Sequence, residues 1–365
     1  MKKIVLTGGG TAGHVTPNLA IIPRLKELGY EIYYIGSYDG IEKRLIDDYD
    51  DIPYYGVATG KFRRYLDPKN ISDPFRVIKG LREAKKILKE IKPDVVFSKG
   101  GFVSVPVVRA AASLKIPCVI HESDLTPGLA NKLCAPVASK ICCNFPETYA
   151  ALPKDKAVLT GSPIRSELSE GNPETGKKLC GFEDNKPTIM VIGGSQGAQA
   201  INDCVRSSLN KLLEDFNIIH ICGKEKMDNI LIGKSGYKQF EYVKSELKDL
   251  FALADVVVSR AGANAICELL ALKKPNLLIP LPLTSSRGDQ ILNAKSFESQ
   301  GFSMVLTEEN LDEDTLVESV QELFCNRQSF LDAMSNSGQQ DSITKICSII
   351  DEFVKDEAAT DEEAK

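Results

Sequence analysis

The chain has 365 residues, of which 43% are hydrophobic and 26% are charged, a length that predicts about two domains with their own cores. The glycine and proline counts are ordinary, and so is the charged fraction. Together these values exclude a collagen-like, mucin-like or wholly disordered chain. The net charge of −5 does not indicate a nucleic-acid-binding protein.

The predicted elements alternate between short apolar strands and helices. In the first half, strands are predicted at 3–6, 31–35, 94–97 and 117–121, with helices at 17–28 and 106–114. In the second half, strands are predicted at 188–192, 218–222, 256–259 and 276–279, with a helix starting at about residue 198. This βαβα order predicts an α/β fold with two Rossmann-like, doubly wound parallel-sheet domains that face a cleft.

A segment rich in Gly, Pro, Ser, Glu and Lys separates the two halves of the chain. We therefore expect four parts, which are a first domain at 1–160, a hinge at 161–186, a second domain at 187–340 and a C-terminal helix with an acidic tail at 341–365.

Three glycine-rich loops, at 8–14, 99–104 and 193–197, each lie between a predicted strand and a predicted helix. Such loops let the backbone approach a ligand and direct helix N–H groups at an anion, although tight turns alone also explain single glycines. The first loop has the GxGxxG spacing of dinucleotide-binding proteins. However, Gly36 and Ser37 follow the second strand where an acidic residue is usual, and His14 replaces the lysine of a P-loop.

The sequence predicts a cytosolic protein. The apolar run at 4–6 is too short for a signal peptide, and no run approaches the ~18 apolar residues that span a membrane. The ten cysteines form no CxxC pair and lie mostly in apolar runs, so we expect reduced, buried thiols. With only three histidines, a His-rich metal site is not expected.

The charge is distributed unevenly along the chain. Residues 1–160 carry a net charge of +7, and residues 161–365 carry −12. The segment 61–92 alone holds 11 basic and 4 acidic residues. It is interpreted either as a solvated helix face or as an apolar patch with a basic rim that binds anionic lipid. The residues of this patch are Phe75, Ile78, Leu81, Arg82, Lys85 and Lys86, and Gly80 is expected to weaken any helix there.

Seven blocks occur in one order along the chain. They are GGGTAGHVTP at 8–17, KGGFVSVP at 99–106, HESDLTPGLANK at 121–132, GSPIR at 161–165, GGSQGAQAIN at 193–202, RAGANAICE at 260–268 and DQ at 289–290. Together they closely resemble the MurG family of bacterial glycosyltransferases. The resemblance covers about residues 4–300 and implies the GT-B fold. It also implies inverting transfer of N-acetylglucosamine from UDP-GlcNAc to lipid-linked muramyl-pentapeptide in peptidoglycan synthesis, without metal or cofactor.

The resemblance also implies the donor site. Ser195 and the N–H groups around it would hold the diphosphate of UDP-GlcNAc, and Arg165 would contact the nucleotide. Glu268 would accept from both ribose hydroxyls, although a solvated acid in the first turn of a helix is the alternative. Gln290 would bind the sugar hydroxyls, and Val243 would lie against uracil. The full donor set is Thr11, Ala12, Gly13, Asp124, Arg165, Ser195, Val243, Glu268 and Gln290.

For the acceptor, the resemblance and the chemistry both indicate His14 as the general base, because imidazole titrates near neutral pH. A helix-capping or substrate-binding histidine is the alternative. The acceptor diphosphate would contact Gly10, Gly13, Gly100 and Gly101. Many relatives have asparagine where this chain has Asp124, and an aspartate cannot donate an amide N–H. Glu122 on the same loop is a weaker candidate for a catalytic carboxylate.

The implied partners are UDP-GlcNAc, the undecaprenyl-linked acceptor, an anionic membrane surface and other cell-wall synthesis proteins, with no nucleic acid. The implied location is peripheral, on the cytoplasmic face of the cell membrane. Other functions are a different GT-B enzyme, such as a diacylglycerol glycosyltransferase or a UDP-GlcNAc epimerase, an NAD-dependent oxidoreductase, and a non-catalytic scaffold. The acceptor loops at 8–17 and 99–106 favour the muramyl acceptor.

Overall fold

The computed structural model describes residues 2–60, 69–194, 197–286, 288–337 and 341–354, with the backbone alone at 69–75. The chain divides into two compact units. The first unit comprises residues 1–165 and 341–365, and the second comprises residues 166–340.

The first unit is built on a parallel sheet with the strand order β3-β2-β1-β4-β5-β6-β7. Its strands are β1 (Lys2–Thr7), β2 (Tyr30–Ser37), β3 (Tyr54–Val57), β4 (Val95–Ser98), β5 (Cys118–Glu122), β6 (Lys140–Cys143) and β7 (Ala157–Leu159). Its helices before residue 165 are α1 (Thr16–Glu27), α2 (Ile41–Ile46), α3 (Lys69–Ile91), α4 (Ser104–Ser113), α5 (Leu129–Cys134) and α6 (Pro146–Ala151). This strand order is that of a Rossmann fold.

The second unit has a parallel sheet of the same kind, in the order β10-β9-β8-β11-β12-β13. Its strands are β8 (Thr188–Ile192), β9 (Asn217–Ile221), β10 (Tyr237–Phe240), β11 (Val256–Ser259), β12 (Asn276–Leu278) and β13 (Ser303–Val305). Its helices are α7 (Pro173–Cys180), α8 (Gln199–Ser207), α9 (Leu209–Asp215), α10 (Leu247–Leu253), α11 (Ala263–Ala271), α12 (Asp289–Ser299), α13 (Glu313–Cys325) and α14 (Arg327–Ser335). The two sheets confirm the predicted class of two Rossmann-like parallel-sheet domains.

The central strands are apolar because helices cover both faces of each sheet. In β1, Ile4 and Leu6 pack into the core cluster on one face, and Val5 packs into the cluster on the other. All eight predicted strands are present. The strands that the sequence analysis missed include β3, β7, β10 and β13, which lie at the sheet edges, where short strands carry a weaker apolar signal.

The last helix, α15 (Ser342–Asp351), packs on the first unit although it follows the second in sequence. Its residues Ile346 and Ile350 are fully buried in the same core cluster as Ile22. The carboxylate of Asp351 accepts hydrogen bonds from Lys2 Nζ at 2.7 Å and from the Tyr30 hydroxyl at 2.8 Å. The helix therefore covers part of one face of the first sheet.

Helix α3 runs without interruption through Gly80, although glycine has a low helix propensity. A Cβ atom at Gly80 would collide with the carbonyl oxygen of Ala58. The glycine therefore allows the helix to lie directly against the segment that follows β3, and tertiary packing outweighs the low intrinsic helix propensity.

All ten cysteines are free thiols, and nine of them are buried, with Cys325 exposed. Burial raises the pKa of the Cys118 thiol to about 12, so this side chain stays protonated at neutral pH. The predicted burial of most of the thiols is confirmed. Within the described parts of the chain, no helix has the length and apolar character needed to cross a membrane.

Candidate functional site in the two glycine-rich units

The first and second glycine-rich loops pack against each other, because they follow the neighbouring strands β1 and β4. Gly101 has a φ of +79°, and a Cβ atom there would collide with the carbonyl oxygen of Gly9 and lie 3.0 Å from Cδ2 of His14. A Cβ atom at Gly10 would collide with the ring of Phe102. These glycines are therefore needed for contact between the loops, whether or not a ligand also approaches them.

His14 lies at the end of a short 3-10 turn between the first loop and α1, and its side chain is half-buried. Its Nδ1 atom is buried and has no hydrogen-bond partner. Burial lowers the pKa of the His14 imidazole, and the charge of Lys99 lowers it further, against a hydrogen bond to the Lys99 backbone that raises it. The ring is therefore held in the neutral form, which a general base requires.

The other two histidines are wholly buried and occupied by protein contacts. In His121, Nε2 donates to the Gly161 carbonyl oxygen at 2.9 Å, and Nδ1 lies 2.6 Å from Lys99 Nζ. His220 donates from Nε2 to the Asn202 side chain at 3.0 Å. Burial lowers the pKa of His220 to about 3 and that of His121 well below its ordinary value. Of the three histidines, His14 is thus the one suited to proton transfer with a substrate.

Lys99 is a residue of this site that the sequence analysis did not single out. Its side chain is 1% exposed, and Nζ donates to His121 Nδ1 and to Ser123 Oγ, each at 2.6 Å. The sequence did contain a signal for this residue, because Lys99 lies between an apolar strand and two glycines. A lysine is rarely buried without partners, so a lysine at such a position indicates a specific set of contacts. The ammonium group links the second loop to the loop after β5 and places a positive charge near His14.

We expect Lys99→Met to raise the pKa of His14 toward its ordinary value of 6.5, because the nearby positive charge would be removed. The rise should be partial, since burial remains the larger cause of the lowering. An NMR titration of the His14 ring protons measures this pKa directly. Lys132→Met, which changes an exposed lysine of α5, is the matched control and should leave the titration unchanged. An unaltered pKa in Lys99→Met would contradict the electrostatic explanation.

The loop after β5 carries Asp124, and its shape depends on Glu122. The Glu122 carboxylate is 4% exposed and accepts from the backbone N–H groups of Asp124 at 3.0 Å and Gly128 at 2.9 Å, and from Asn131 Nδ2 at 2.8 Å. These three bonds give Glu122 a structural role in the loop. Asp124 is half-buried and lies where Glu122 places it.

Arg165 is the last residue of the first unit and is half-buried. Its Nε atom is buried and has no hydrogen-bond partner. An unpaired buried donor of this kind is unfavourable unless a ligand or a water molecule supplies an acceptor. This observation supports a binding role for Arg165.

The second unit holds four of the nine predicted donor residues, which are Ser195, Val243, Glu268 and Gln290. Glu268 is the sixth residue of α11, and the first turn of that helix contains no acidic residue, so a first-turn helix acid does not describe it. Gln290 is the second residue of α12, and its Oε1 atom accepts from the backbone N–H of Leu281 at 3.1 Å. That bond orients the Gln290 amide with its NH2 group as the remaining donor. Val243 is half-buried in the loop between β10 and α10.

The third glycine-rich loop leads from β8 to α8. The N–H of Gly197 donates to the Gly194 carbonyl oxygen at 2.9 Å. Ser195, the predicted phosphate contact, lies outside the described residues. Among the residues that are described, no group of three or more His, Cys, Asp or Glu side chains could hold a metal ion.

Sequence comparison assigns both units to one class of protein. The model of the glycosyltransferase family 28 N-terminal domain matches residues 4–143, and that of the family 28 C-terminal domain matches residues 188–349. These matches cover the second sheet, the first sheet except for β7 and the start of β1, and all three glycine-rich loops. The fold and loops thus define a two-domain glycosyltransferase.

Individual relatives narrow this class. A UDP-N-acetylglucosamine–N-acetylmuramyl-(pentapeptide) pyrophosphoryl-undecaprenol N-acetylglucosamine transferase of Lachnospira eligens is 63% identical, over 96% of this chain and 99% of the relative. A transferase of the same name from Lachnoclostridium phytofermentans is 61% identical, over 96% of this chain and 99% of the relative. The crystal structure of Acinetobacter baumannii MurG matches with a TM-score of 0.76 at 25% identity, covering 96% of this chain and 100% of that one. The chain belongs to the MurG family of glycosyltransferases.

Proposed function

We propose that this protein transfers N-acetylglucosamine, with inversion, from UDP-GlcNAc to the muramyl 4-hydroxyl of undecaprenyl-diphospho-MurNAc-pentapeptide. The observation that carries the proposal is the identity of 61–63%, over almost the whole chain, to relatives named for this transfer. Family membership disfavours an NAD-dependent oxidoreductase and a scaffold. The same identity, over almost the whole chain, favours transfer to the muramyl acceptor over transfer to diacylglycerol and over epimerisation of UDP-GlcNAc.

On the acceptor side, His14 would take the proton of the muramyl hydroxyl as the new glycosidic bond forms. Burial and the Lys99 charge support this role because they keep the imidazole neutral and able to accept a proton. The acceptor diphosphate would lie at the first and second loops, where backbone N–H groups suit phosphate oxygens. The glycines proposed for this contact are Gly13, Gly100 and Gly101. Gly10, which the resemblance also implied, is left out because its N–H donates to the Glu42 carboxylate at 3.1 Å.

On the donor side, the bond from the sugar to the diphosphate breaks and negative charge develops on the departing UDP. The N–H groups at the start of α8, Ser195 and Arg165 would stabilise that charge. Glu268 would accept from the ribose hydroxyls, and the NH2 group of Gln290 would donate to a sugar hydroxyl. The remaining proposed donor contacts are Thr11, Ala12, Gly13, Asp124 and Val243.

Incubation of the protein with labelled UDP-GlcNAc and a short-chain analogue of the muramyl lipid, in EDTA, tests the proposal. We expect the disaccharide product, with the configuration at the transferred sugar inverted, and no requirement for added metal. No product from the muramyl analogue, or product from diacylglycerol instead, would contradict it. Turnover that depends strictly on a metal ion would contradict the proposed stabilisation of the leaving group by protein groups alone.

We also propose that the protein acts peripherally on the cytoplasmic face of the cell membrane, with α3 as the contact. Ile78 is 51% exposed and lies among the exposed side chains of Arg76, Lys79 and Arg82. An apolar side chain among cations suits an anionic lipid surface. Leu81 instead packs partly against the core, and the Phe75 side chain lies outside the described residues.

The triple change of Arg76, Lys79 and Arg82 to glutamine should weaken binding to anionic phospholipid vesicles by on the order of 100-fold, at about 1 kcal/mol for each charge near the surface. Cosedimentation with vesicles measures the effect, and UDP affinity should not change. The matched control changes the exposed Lys178, Lys211 and Lys224 of the second unit to glutamine. Equal losses in the two triple variants would show a general charge effect and contradict a docking role for α3.

A further inference from the structure

A buried carboxylate lies behind the first glycine-rich loop. Glu42, the second residue of α2, is 0% exposed. Its Oε2 accepts from the backbone N–H of Gly10 at 3.1 Å. Its Oε1 accepts from the backbone N–H of Ser37 at 3.0 Å and from the Ser37 hydroxyl. Glu42 therefore connects the end of β2 to the first loop, whose Gly10 lies 32 positions before Glu42 in the sequence.

The space that Glu42 occupies is formed by glycines. A Cβ atom at Gly9 or at Gly40 would collide with the Glu42 carboxylate, and one at Gly36 would lie 2.8 Å from its Cγ atom. Three glycines on three segments thus leave room for one acidic side chain. Burial of a carboxylate is unfavourable unless hydrogen bonds compensate for lost water, and the three donors supply them. The arrangement favours one conformation of the loop.

From this geometry we propose that Glu42 is a positioning residue for the glycosyl transfer. Its carboxylate holds the first loop against β2 so that His14, four residues after Gly10, stays beside the second loop. Glu42 also occupies the N–H of Gly10, so the acceptor diphosphate binds other amides of the two loops. The inference rests on the proposed function, and it corrects the role that the resemblance implied for the Gly10 amide.

Glu42→Gln tests this link with little change in side-chain volume. The retained oxygen is expected to stay with the two donors of Ser37, so the new NH2 group faces the N–H of Gly10 and breaks that bond. Ser37→Ala is the matched control, because it removes the hydroxyl donor and keeps the bond between Glu42 and Gly10. Glu42→Asp, which fits the same space but is one methylene shorter, is a second variant.

Two measurements separate positioning from general stability. Hydrogen exchange of peptides covering residues 8–15 should accelerate by about 10-fold or more in Glu42→Gln, since a hydrogen bond to a charged group contributes ~1.5–3 kcal/mol. The kcat for transfer should fall by on the order of 10–100-fold, because a small displacement of a catalytic group has a large effect on rate. UDP affinity should stay within about twofold, and rescue should be partial in Glu42→Asp. Ser37→Ala should lose much less kcat, and show much less acceleration of exchange at residues 8–15, than Glu42→Gln, because the bond between Glu42 and Gly10 remains.

Unchanged kcat in Glu42→Gln would overturn the proposal, as would a loss of UDP affinity that parallels the loss of turnover. Failure of both Glu42 variants to fold would also overturn it, because Glu42 would then serve the stability of the whole unit. If the unmodified protein forms no product, the proposed function fails. The exchange measurement still decides whether Glu42 holds the loop.

Discussion

His14→Ala is expected to reduce kcat for the transfer by about 10²–10⁴-fold, the usual contribution of a positioned general base. The acceptor hydroxyl must lose its proton as the glycosidic bond forms, and no other histidine is available because His121 and His220 are buried in protein contacts. Turnover at saturating concentrations of both substrates measures the effect.

In the unmodified protein, kcat/KM should fall at low pH with a midpoint below 6.5, since burial and Lys99 lower the pKa of His14.

His14→Gln distinguishes a base from a histidine that only binds substrate. Glutamine retains hydrogen-bonding capacity but does not accept a proton at neutral pH. We expect it to be as inactive as His14→Ala, with an unchanged affinity for UDP. Recovery of most of the turnover in His14→Gln would show that His14 binds substrate or caps α1, and near-normal turnover in His14→Ala would exclude the proton-transfer role.

Ile350→Ala should destabilise the first unit by about 2–5 kcal/mol, the range for truncating a fully buried isoleucine. Ile350 is 0% exposed in the core cluster that α15 shares with α1 and β1. For a unit of this size each kcal/mol lowers the melting temperature by roughly 2–4 °C. Calorimetry measures the shift, and Ser348→Ala, an exposed position on the same helix, is the matched control.

A destabilisation of the second unit alone would contradict the assignment of α15 to the first unit. The loss of stability in Ile350→Ala would come from lost packing and not from a weaker helix, because alanine has a high helix propensity. A melting temperature of Ile350→Ala equal to that of Ser348→Ala would show that the helix contributes little to the core. We do not expect that outcome, because the Asp351 carboxylate also attaches α15 to the first unit by accepting hydrogen bonds from Lys2 and Tyr30.

The sequence indicated some residues of the candidate site and not others. The motif at 8–14 singled out His14, because a titratable side chain in a glycine-rich loop is visible in one short segment. The same motif suggested ligand contact for its glycines, whereas Gly9 and Gly10 also make room for Glu42 and Phe102. Those partners come from other segments, and no local pattern indicates them. The sequence also has no acidic residue directly after β2. In the folded protein the carboxylate of Glu42, which belongs to α2, accepts a hydrogen bond from the backbone N–H of Ser37 at the end of β2.

The sequence by itself determined the central alternating strands and helices, the class of two parallel sheets and the family. These follow from local apolar patterns and from ordered motifs, each contained within about ten residues. Only the tertiary structure decided that α15 belongs to the first unit, that Lys99 lies beside His121, and that Glu42 holds the first loop. Such contacts join segments distant in sequence, and they depend on how helices and loops pack once the sheets have formed. A buried charge is stable only with hydrogen-bond partners, which the folded chain brings from elsewhere.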